Sequence, residues 1–255
     1  MIRILLIRHG RTNWNVAGDD ASLSGERFRG TLDVPLADEG VTQSEITARR
    51  LAAVRLAAIY ASPLQRAART ASILAAPHSI QVRTLPGLSS MNYGDWAGKS
   101  HADVARDWPD LYRAWRQDPV SIEIPGGESA TALRDRARAA IYELLARHQS
   151  GETVAVVTHQ AVTKTLLCTL LGMPDAAYWY LRQDLCNINV VSYAQDSDTF
   201  TLHALNDTCH LDPALPAAGG QEGDKQSGAR LLVVRHGQTE WNAGAGAERF
   251  RGRMD

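Results

Sequence analysis

Short aliphatic runs alternate along this chain with longer stretches rich in Ala, Leu and Arg. The runs at 4–7 and 153–158 consist of aliphatic and β-branched residues, which is typical of strands buried on both faces. The longer stretches place apolar residues three or four positions apart, the spacing of amphipathic helices. This alternation predicts an α/β fold, a three-layer α/β/α sandwich with a mostly parallel central sheet.

The same pattern gives bounds for the individual elements. Strands are predicted at 4–7, 57–60, 80–85, 153–158, 187–193 and 199–205. Helices are predicted at 40–54, 63–74, 129–149 and 161–171, with one or two more between 100 and 117. Ser62 followed by Pro63 is a start signal for the second of these helices. Trp108 and Trp115 are seven residues apart, which favours a packing stripe on a helix over a substrate platform.

Composition narrows the classes of function. The 255 residues are 44% hydrophobic and 22% charged, as in ordinary soluble globular proteins. A formal net charge of -1 gives no support for a nucleic-acid surface or an anionic membrane surface. No apolar run approaches the roughly 20 residues of a membrane-spanning helix, and the N-terminus lacks the character of a signal peptide. We therefore expect a cytoplasmic protein with no nucleic-acid or membrane partner.

Cysteine and histidine spacing gives no sign of a metal site. Cys168, Cys186 and Cys209 are far apart, which is the pattern of reduced thiols. Five histidines also lack partners at the spacing of metal ligands, namely His78, His101, His148, His203 and His210. We expect neither a metal nor another cofactor.

The composition changes after His210. Residues 211–229 are rich in Pro, Gly, Ala and polar residues and have almost no aliphatic content, which predicts a linker. Residues 230–242 (RLLVVRHGQTEWN) then repeat 3–15 (RILLIRHGRTNWN). A repeat at this distance indicates a second copy of a domain rather than a short repeating unit.

The repeat predicts how the chain is divided. We expect a first, catalytic domain at 1–210 and the truncated start of a second domain at 230–255, in a tandem protein. The second copy has counterparts of Arg8 and His9 in Arg235 and His236, but its 26 residues are too few to complete a pocket. The alternative is that the strand at 231–234 pairs with an exposed sheet edge and promotes self-association.

The sequence Arg8-His9-Gly10 comes where the first strand should end, which is where open α/β sheets commonly place their chemistry. Arg-His-Gly alone is weak evidence, but Thr12 and Asn15 follow it at fixed steps. Further segments are FRGTLDVPLADEG at 28–40, SPLQRAARTA at 62–71, PGGES at 125–129 and VVTHQA at 156–161. Together these segments resemble the histidine phosphatase superfamily, which includes the cofactor-dependent phosphoglycerate mutases, from about residue 2 to 205.

The resemblance implies roles for individual residues. Arg8, His9, Arg66 and His159 match the phosphate-pocket quartet of the family, with His9 as the residue that becomes phosphorylated. Asn15 matches a phosphate-contacting asparagine, and Thr12 and Gln160 complete the implied phosphate-binding set.

The chemistry of phosphoryl transfer agrees with these roles. A phosphoryl group in transfer carries charge on three equatorial oxygens, which two arginine forks and a protonated His159 would contact. His9 must be neutral to attack, and a backbone carbonyl or a carboxylate should orient its other nitrogen. The prediction is a metal-independent phosphomonoesterase that acts on a phosphorylated small molecule.

The proton donor of the family is missing from its usual positions. The family commonly has a glutamate four residues before Gly94, where this chain has Ser90, and some members have an acid where this chain has Gln160. Asp95 or Glu128 could substitute for it. Alternatively, the substrate has a good leaving group, such as an acyl phosphate, a phosphoramidate or an aryl phosphate, or this copy turns over slowly.

These alternatives bear on the class of function. The rival to an enzyme is a degenerate phosphatase that acts as a phospholigand-binding or regulatory module. A mutase must protonate and deprotonate sugar-acid hydroxyls, so the missing acid argues against phosphoglycerate mutase activity. The short stretch between 98 and 125 also leaves little room for the long substrate-binding insertion that the resemblance would imply for a mutase.

Overall fold

One six-stranded sheet lies at the centre of the computed structural model, which describes residues 1–15, 27–120 and 122–211. Its strands are β1 (Ile2–Arg8), β2 (Ala58–Ala61), β3 (Val82–Thr84), β4 (Thr153–Thr158), β5 (Ile188–Ala194) and β6 (Thr199–Asp207). They are ordered β3-β2-β4-β1-β5-β6, with β1 to β4 parallel and β5 antiparallel to both of its neighbours. The predicted mostly parallel sheet is confirmed.

Helices connect the strands. They are α1 (Asp38–Leu51), α2 (Gln65–Ala75), α3 (His101–Asp107), α4 (Pro109–Gln117), α5 (Ala130–Leu145) and α6 (Gln160–Leu170). Pro109 separates α3 from α4, since proline is tolerated in the first turn of a helix and not in its interior. Ser129 caps α5 by accepting a hydrogen bond from the backbone N–H of Ala132.

The predicted start of α2 is wrong. This helix begins at Gln65, and Ser62 does not cap it. Asp33 accepts the Gln65 backbone N–H at 2.7 Å instead, so a residue from a distant loop satisfies this donor.

The sheet separates two apolar layers. In β1, Ile2, Ile4 and Leu6 face the core formed with α5 and α6, while Leu5 and Ile7 face the core formed with α1 and α2. Strand side chains alternate between faces, so a strand that is apolar throughout needs cover on both sides. The predicted three-layer sandwich is therefore observed. Trp115 is buried in the first of these cores, as the packing interpretation predicted.

Several predictions lie outside the described residues. These are the linker from 212 onward, the second domain at 230–255 and self-association through 231–234. Within the described part of the chain, no helix combines the length and the apolar character needed to cross a membrane.

Candidate active site

The carboxyl ends of three adjacent parallel strands bring the candidate residues together. His9 follows β1, His159 follows β4 and Ser62 follows β2. The parallel register pairs Arg8 with Thr158, so the two histidines emerge side by side. Their ring centroids are 5.2 Å apart, and the backbone N–H of His9 donates to the Thr158 carbonyl at 3.0 Å.

His9 is held in one tautomer. Its Nδ1 lies 2.7 Å from the Gly10 carbonyl oxygen, and because a carbonyl can only accept, Nδ1 carries the proton. The lone pair is therefore on Nε2. Burial lowers the pKa of His9 well below its usual 6.5. The positive charges of Arg66, of Arg8 and of His159 in its protonated form lower this pKa further, so the neutral imidazole of His9 is favoured. Gly10 thus supplies the orienting carbonyl that the sequence could not identify.

His159 is buried beside several arginines. Burial lowers its pKa well below 6.5, with further lowering by Arg66, Arg29 and Arg8, so the neutral form is favoured in the protein alone. The protonated His159 that was expected beside a phosphoryl group stays a prediction for the complex with substrate. Nε2 of His159 lies 2.8 Å from Ser62 Oγ, while its buried Nδ1 has no hydrogen-bond partner among the described residues.

Arg8 and Arg66 are almost completely buried, at 0% and 1% exposure. Arg66 donates from Nη2 to the Gly30 carbonyl at 2.7 Å and from Nη1 to the Leu32 carbonyl at 2.8 Å. Its Nε is buried and has no partner within the described chain. Burial is the main reason that its pKa falls to about 10, which still leaves the guanidinium charged at neutral pH.

Sequence reasoning missed Arg29 as an individual residue of the site. Its charge lowers the pKa values of His9, His159 and Arg66, so it lies close to all three. It also donates from Nη1 to the Trp14 carbonyl at 3.0 Å. A signal was present, because Arg29 belongs to the pentapeptide ERFRG that occurs at both 26–30 and 248–252.

Thr12 and Asn15 form a buried pair. Asn15 Oδ1 accepts hydrogen bonds from both the backbone N–H and the Oγ1 of Thr12, each at 3.0 Å. These contacts orient the amide so that its Nδ2 is the outward donor, and Nδ2 is buried without a partner in the described residues. Thr12 therefore orients Asn15.

Gln160 is the first residue of α6, and His159 is at its N-cap position. The N-terminus of this 11-residue helix thus lies at the site, where its backbone N–H groups and dipole favour an anion.

Glu128, a candidate proton donor, is engaged elsewhere. Arg136 contacts both of its carboxylate oxygens, from Nη2 to Oε1 at 2.6 Å and from Nε to Oε2 at 2.9 Å. The backbone N–H of Asn92 also donates to Oε1 at 2.8 Å. Because both oxygens already accept hydrogen bonds, the structure assigns Glu128 to an ion pair and does not favour it as a proton donor.

Asp95 is the other candidate proton donor, and Ser90 is at the position where the family commonly has its acid. Asp95 is exposed in a short 3₁₀ helix at Gly94–Trp96, beside Gly126. Ser90 is buried, and its segment passes close to His159, because the Leu88 carbonyl accepts a hydrogen bond from Thr158 Oγ1 at 2.8 Å. The charged groups that shift the pKa values of His9 and His159 are all basic among the described residues.

No three His, Cys, Asp or Glu side chains of the described residues are grouped in a way that could hold a metal ion. The described groups of this site that can stabilise negative charge are its arginines, its histidines and the N-terminus of α6.

Comparison with known proteins agrees with this geometry. The family profile "Histidine phosphatase superfamily (branch 1)" matches residues 4–208. Phosphoserine phosphatase 1 of Hydrogenobacter thermophilus is 29% identical over 211 residues, 83% of this chain and 95% of that protein. The adenosylcobalamin/alpha-ribazole phosphatase of Escherichia coli K12 is 31% identical over 183 residues, 72% of this chain and 86% of that protein.

A solved structure shows the same fold. The mycobacterial glucosyl-3-phosphoglycerate phosphatase superposes with a TM-score of 0.71 at 29% identity, covering 81% of this chain and 99% of that one. These three proteins are all named phosphatases, and their names specify chemically different phosphate esters.

Proposed function

The chain belongs to the histidine phosphatase superfamily, and we propose that it is a phosphohydrolase that cleaves phosphate monoesters through a phosphohistidine intermediate on His9. The observation that carries this proposal is the state of His9. It is a buried, neutral imidazole whose Nδ1–H is held by a carbonyl, so that the Nε2 lone pair is the nucleophile.

The surrounding donors match the charge of a phosphoryl group in transfer. Three buried nitrogens have no partner among the described residues: the donors Arg66 Nε and Asn15 Nδ2, and His159 Nδ1, which also donates once His159 is protonated. Charge on the three equatorial oxygens requires donors of this kind, preorganised in a site that excludes water. Arg8 and Arg29 add positive charge next to both histidines. In this mechanism these groups neutralise the phosphoryl oxygens, and no metal ion is required.

The reaction has two steps. First, His9 Nε2 attacks phosphorus, so an N–P bond forms and the ester P–O bond breaks, with its electron pair leaving on the alcohol oxygen. Then water attacks the phosphohistidine, the N–P bond breaks, and inorganic phosphate leaves with neutral His9 restored. A bound phosphate dianion raises the pKa of His159, because an opposite charge nearby favours the protonated form.

For the leaving group we propose a substrate whose leaving oxygen is stable as an anion and needs little protonation, such as an aryl phosphate or an acyl phosphate. Ser90 stands at the position of the family acid, and Glu128 is held by Arg136. General acid catalysis typically contributes about 10²- to 10⁴-fold, and this contribution matters least when the leaving group is already stable as an anion. The same consideration disfavours phosphoglycerate mutase activity.

Rapid-quench labelling tests the proposal, with the reaction stopped in alkali because phosphohistidine is stable there and hydrolyses in acid. The full chain is mixed with an aryl phosphate that carries labelled phosphorus and is quenched after a few milliseconds. The wild type should retain an acid-labile phosphoryl group and His9→Ala none, while the control His203→Ala, on β6, should label like the wild type. Absence of both label and hydrolysis across aryl, acyl and alkyl phosphates would refute it.

A second candidate is a phospholigand-binding module. The specific observations that favour it are Ser90 and Gln160, which leave both family acid positions without a proton donor. It predicts that inorganic phosphate still binds to His9→Ala, fails to bind to Arg66→Ala, and that the wild type shows negligible turnover.

A further inference from the structure

A group of amide side chains lies beside Arg8, two of them in the turn between α6 and β5, one in β5 and one in β6. We call Gln183, Asn187, Asn189 and Asn206 the amide network. Gln183 Oε1 accepts from the Nδ2 atoms of both Asn187 and Asn189, each at 2.8 Å. Gln183 Nε2 donates to Asn189 Oδ1 at 3.0 Å, and Asn187 Nδ2 also donates to Asn206 Oδ1 at 2.7 Å. Three of the four residues are almost fully buried.

The network and the backbone of its turn form three hydrogen bonds with Arg8. The Gln183 backbone carbonyl accepts from Arg8 Nη1 at 2.6 Å. Asn187 Oδ1 accepts from the Arg8 backbone N–H at 3.3 Å, and the Cys186 backbone N–H donates to the Arg8 carbonyl at 3.1 Å. The turn thus holds both the guanidinium of Arg8 and the backbone from which the side chain extends.

The backbone of this region is strained where the network needs it. Cys186 and Asn206 both have a φ of 53°, in the left-handed region that non-glycine residues rarely adopt. Such conformations cost free energy and are found where surrounding contacts impose them, often near functional sites. Here the contacts are the Cys186–Arg8 bond and two bonds to Asn206 Oδ1, from Asn187 Nδ2 and the Asp184 backbone N–H, each at 2.7 Å.

We propose that the amide network is a set of positioning residues that fix the orientation of the Arg8 guanidinium toward the transferred phosphoryl group. This inference rests on the proposed function, in which Arg8 contacts that group. A carboxylate beside Arg8 would hold the fork equally well but would cancel its charge. Amides and carbonyls are neutral acceptors, so their contacts orient the guanidinium without cancelling its charge. Among the described residues, Asp184 contributes a carboxylate to the network, because it accepts from Asn206 Nδ2 at 2.8 Å, and it is paired with Arg182 at 2.7 Å.

Two variants test the network without touching Arg8. Gln183→Met keeps the backbone carbonyl that Arg8 contacts but removes the side-chain bonds that hold it. Asn206→Gly removes the side chain and suits the left-handed backbone, so it avoids new strain. The control is Tyr60→Phe, which loses the bonds of Tyr60 OH to His148 Nε2 and Arg83 Nη1 in another buried polar cluster.

The measurements are kcat, KM, the inhibition constant of vanadate and the thermal midpoint, all on the full chain. For both network variants we expect kcat/KM to fall about 10- to 100-fold, mostly through kcat, because a small misplacement of a catalytic group has effects of this size. Vanadate, which mimics the transferred phosphoryl group, should bind about 10-fold more weakly for the same reason. Tyr60→Phe should lose a comparable amount of thermal stability and keep kcat/KM within about twofold.

The outcomes separate the two proposals. If the network variants lose thermal stability like the control but keep kcat and vanadate affinity, the positioning role is overturned and the proposed function stands. If Arg8→Ala itself hydrolyses aryl phosphates at the wild-type rate, the positioning role fails while phosphohydrolase activity stands. If the wild type neither hydrolyses aryl phosphates nor labels on His9, the proposed function fails, and the positioning role fails with it. A fall in kcat and in vanadate affinity in both network variants, together with a larger fall in Arg8→Ala, supports both.

Discussion

Placing a carboxyl group at position 90 should supply a proton donor at the position where the family commonly has one and this chain has Ser90. Ser90→Glu puts the acid on the segment that is tied to β4 by the Leu88–Thr158 hydrogen bond, close to His159. Arg136 contacts this segment, because its Nη2 donates to the Ser90 carbonyl at 3.0 Å. It could therefore trap the new carboxylate as an ion pair. Its five N–H groups are already used by the carbonyls of Gly87, Ser89 and Ser90 and by Glu128, so it has no donor to spare.

The size of the effect depends on the leaving group. General acid catalysis of about 10²- to 10⁴-fold corresponds to about 2.7 to 5.4 kcal/mol of transition-state stabilisation. For an alkyl phosphate, whose alkoxide must be protonated, we expect at least the lower figure, about 10²-fold in kcat/KM. For p-nitrophenyl phosphate, whose phenolate leaves without help, we expect a change of less than about threefold.

The assay is a series of phosphate monoesters that differ in the pKa of the leaving alcohol. The slope of log kcat/KM against that pKa should be steep for the wild type and shallower for Ser90→Glu. The carboxylic acid must also be protonated to act, so the variant should lose rate on alkyl phosphates as pH rises through the pKa of the new group. Ser90→Gln is the matched control, with nearly the same volume and no proton to donate as an acid.

Two results would refute this reasoning. If Ser90→Gln flattens the slope as much as Ser90→Glu, the gain comes from packing or polarity and not from proton transfer. If the wild-type slope is already shallow, a proton donor is present in the wild-type site and the proposed class of substrate is wrong.

Three further predictions concern the residues around His9. Burial and basic neighbours lower the pKa of His9, and only the neutral imidazole attacks. We therefore expect kcat/KM, corrected for substrate ionisation, to stay constant as pH falls through 6.5 and to decline only below that value. An acidic limb of the pH profile centred above 6.5 would contradict this. Arg66→Lys loses the guanidinium fork that contacts the Gly30 and Leu32 carbonyls and should lower kcat/KM about 10²-fold. The control is Arg69→Lys, at an exposed arginine of the same helix, which should keep the wild-type kcat/KM. Equal rates for the two variants would remove Arg66 from the site. Ser62→Ala removes the hydrogen-bond partner of His159 Nε2 and should raise the activation free energy by about 1 kcal/mol, which lowers kcat roughly fivefold. Ser62→Thr should recover part of this loss. A wild-type kcat for Ser62→Ala would show that this contact does not orient His159.

The sheet and the pairing of the two histidines could be predicted because they depend on local pattern and on one rule of topology. β1 and β4 each contain a central run of aliphatic residues, and parallel strands end at the same edge of a sheet, so residues that follow two such strands meet there. Arg66 could be placed only through the family resemblance, because its position on a helix carries no periodic signal of its own.

The features that were missed all depend on contacts between distant parts of the chain. Ser62 has the sequence context of a helix cap, but its hydroxyl forms a hydrogen bond with His159, 97 residues away. Asp33 accepts the N–H of Gln65 instead. The amide network joins residues after α6 to β1 and β6, and asparagines in a loop have the same local signature whether they are solvated or buried. The lowered pKa of His159 likewise depends on burial and on four arginines from separate segments of the chain.

The positive charge of the site and the lack of an acid at position 90 act on the same step. The hydrogen bonds described for Arg66 and Arg8 go to neutral carbonyl acceptors, which do not cancel the charge of either guanidinium. As the ester bond breaks, negative charge develops on the phosphoryl oxygens and on the leaving oxygen, and a positive field stabilises both. It stabilises the leaving oxygen less than a proton would, because a field at a distance does not form a bond. The site therefore favours leaving groups that tolerate a negative charge, and a Ser90→Glu carboxyl should extend its range to alkyl esters rather than increase its rate uniformly.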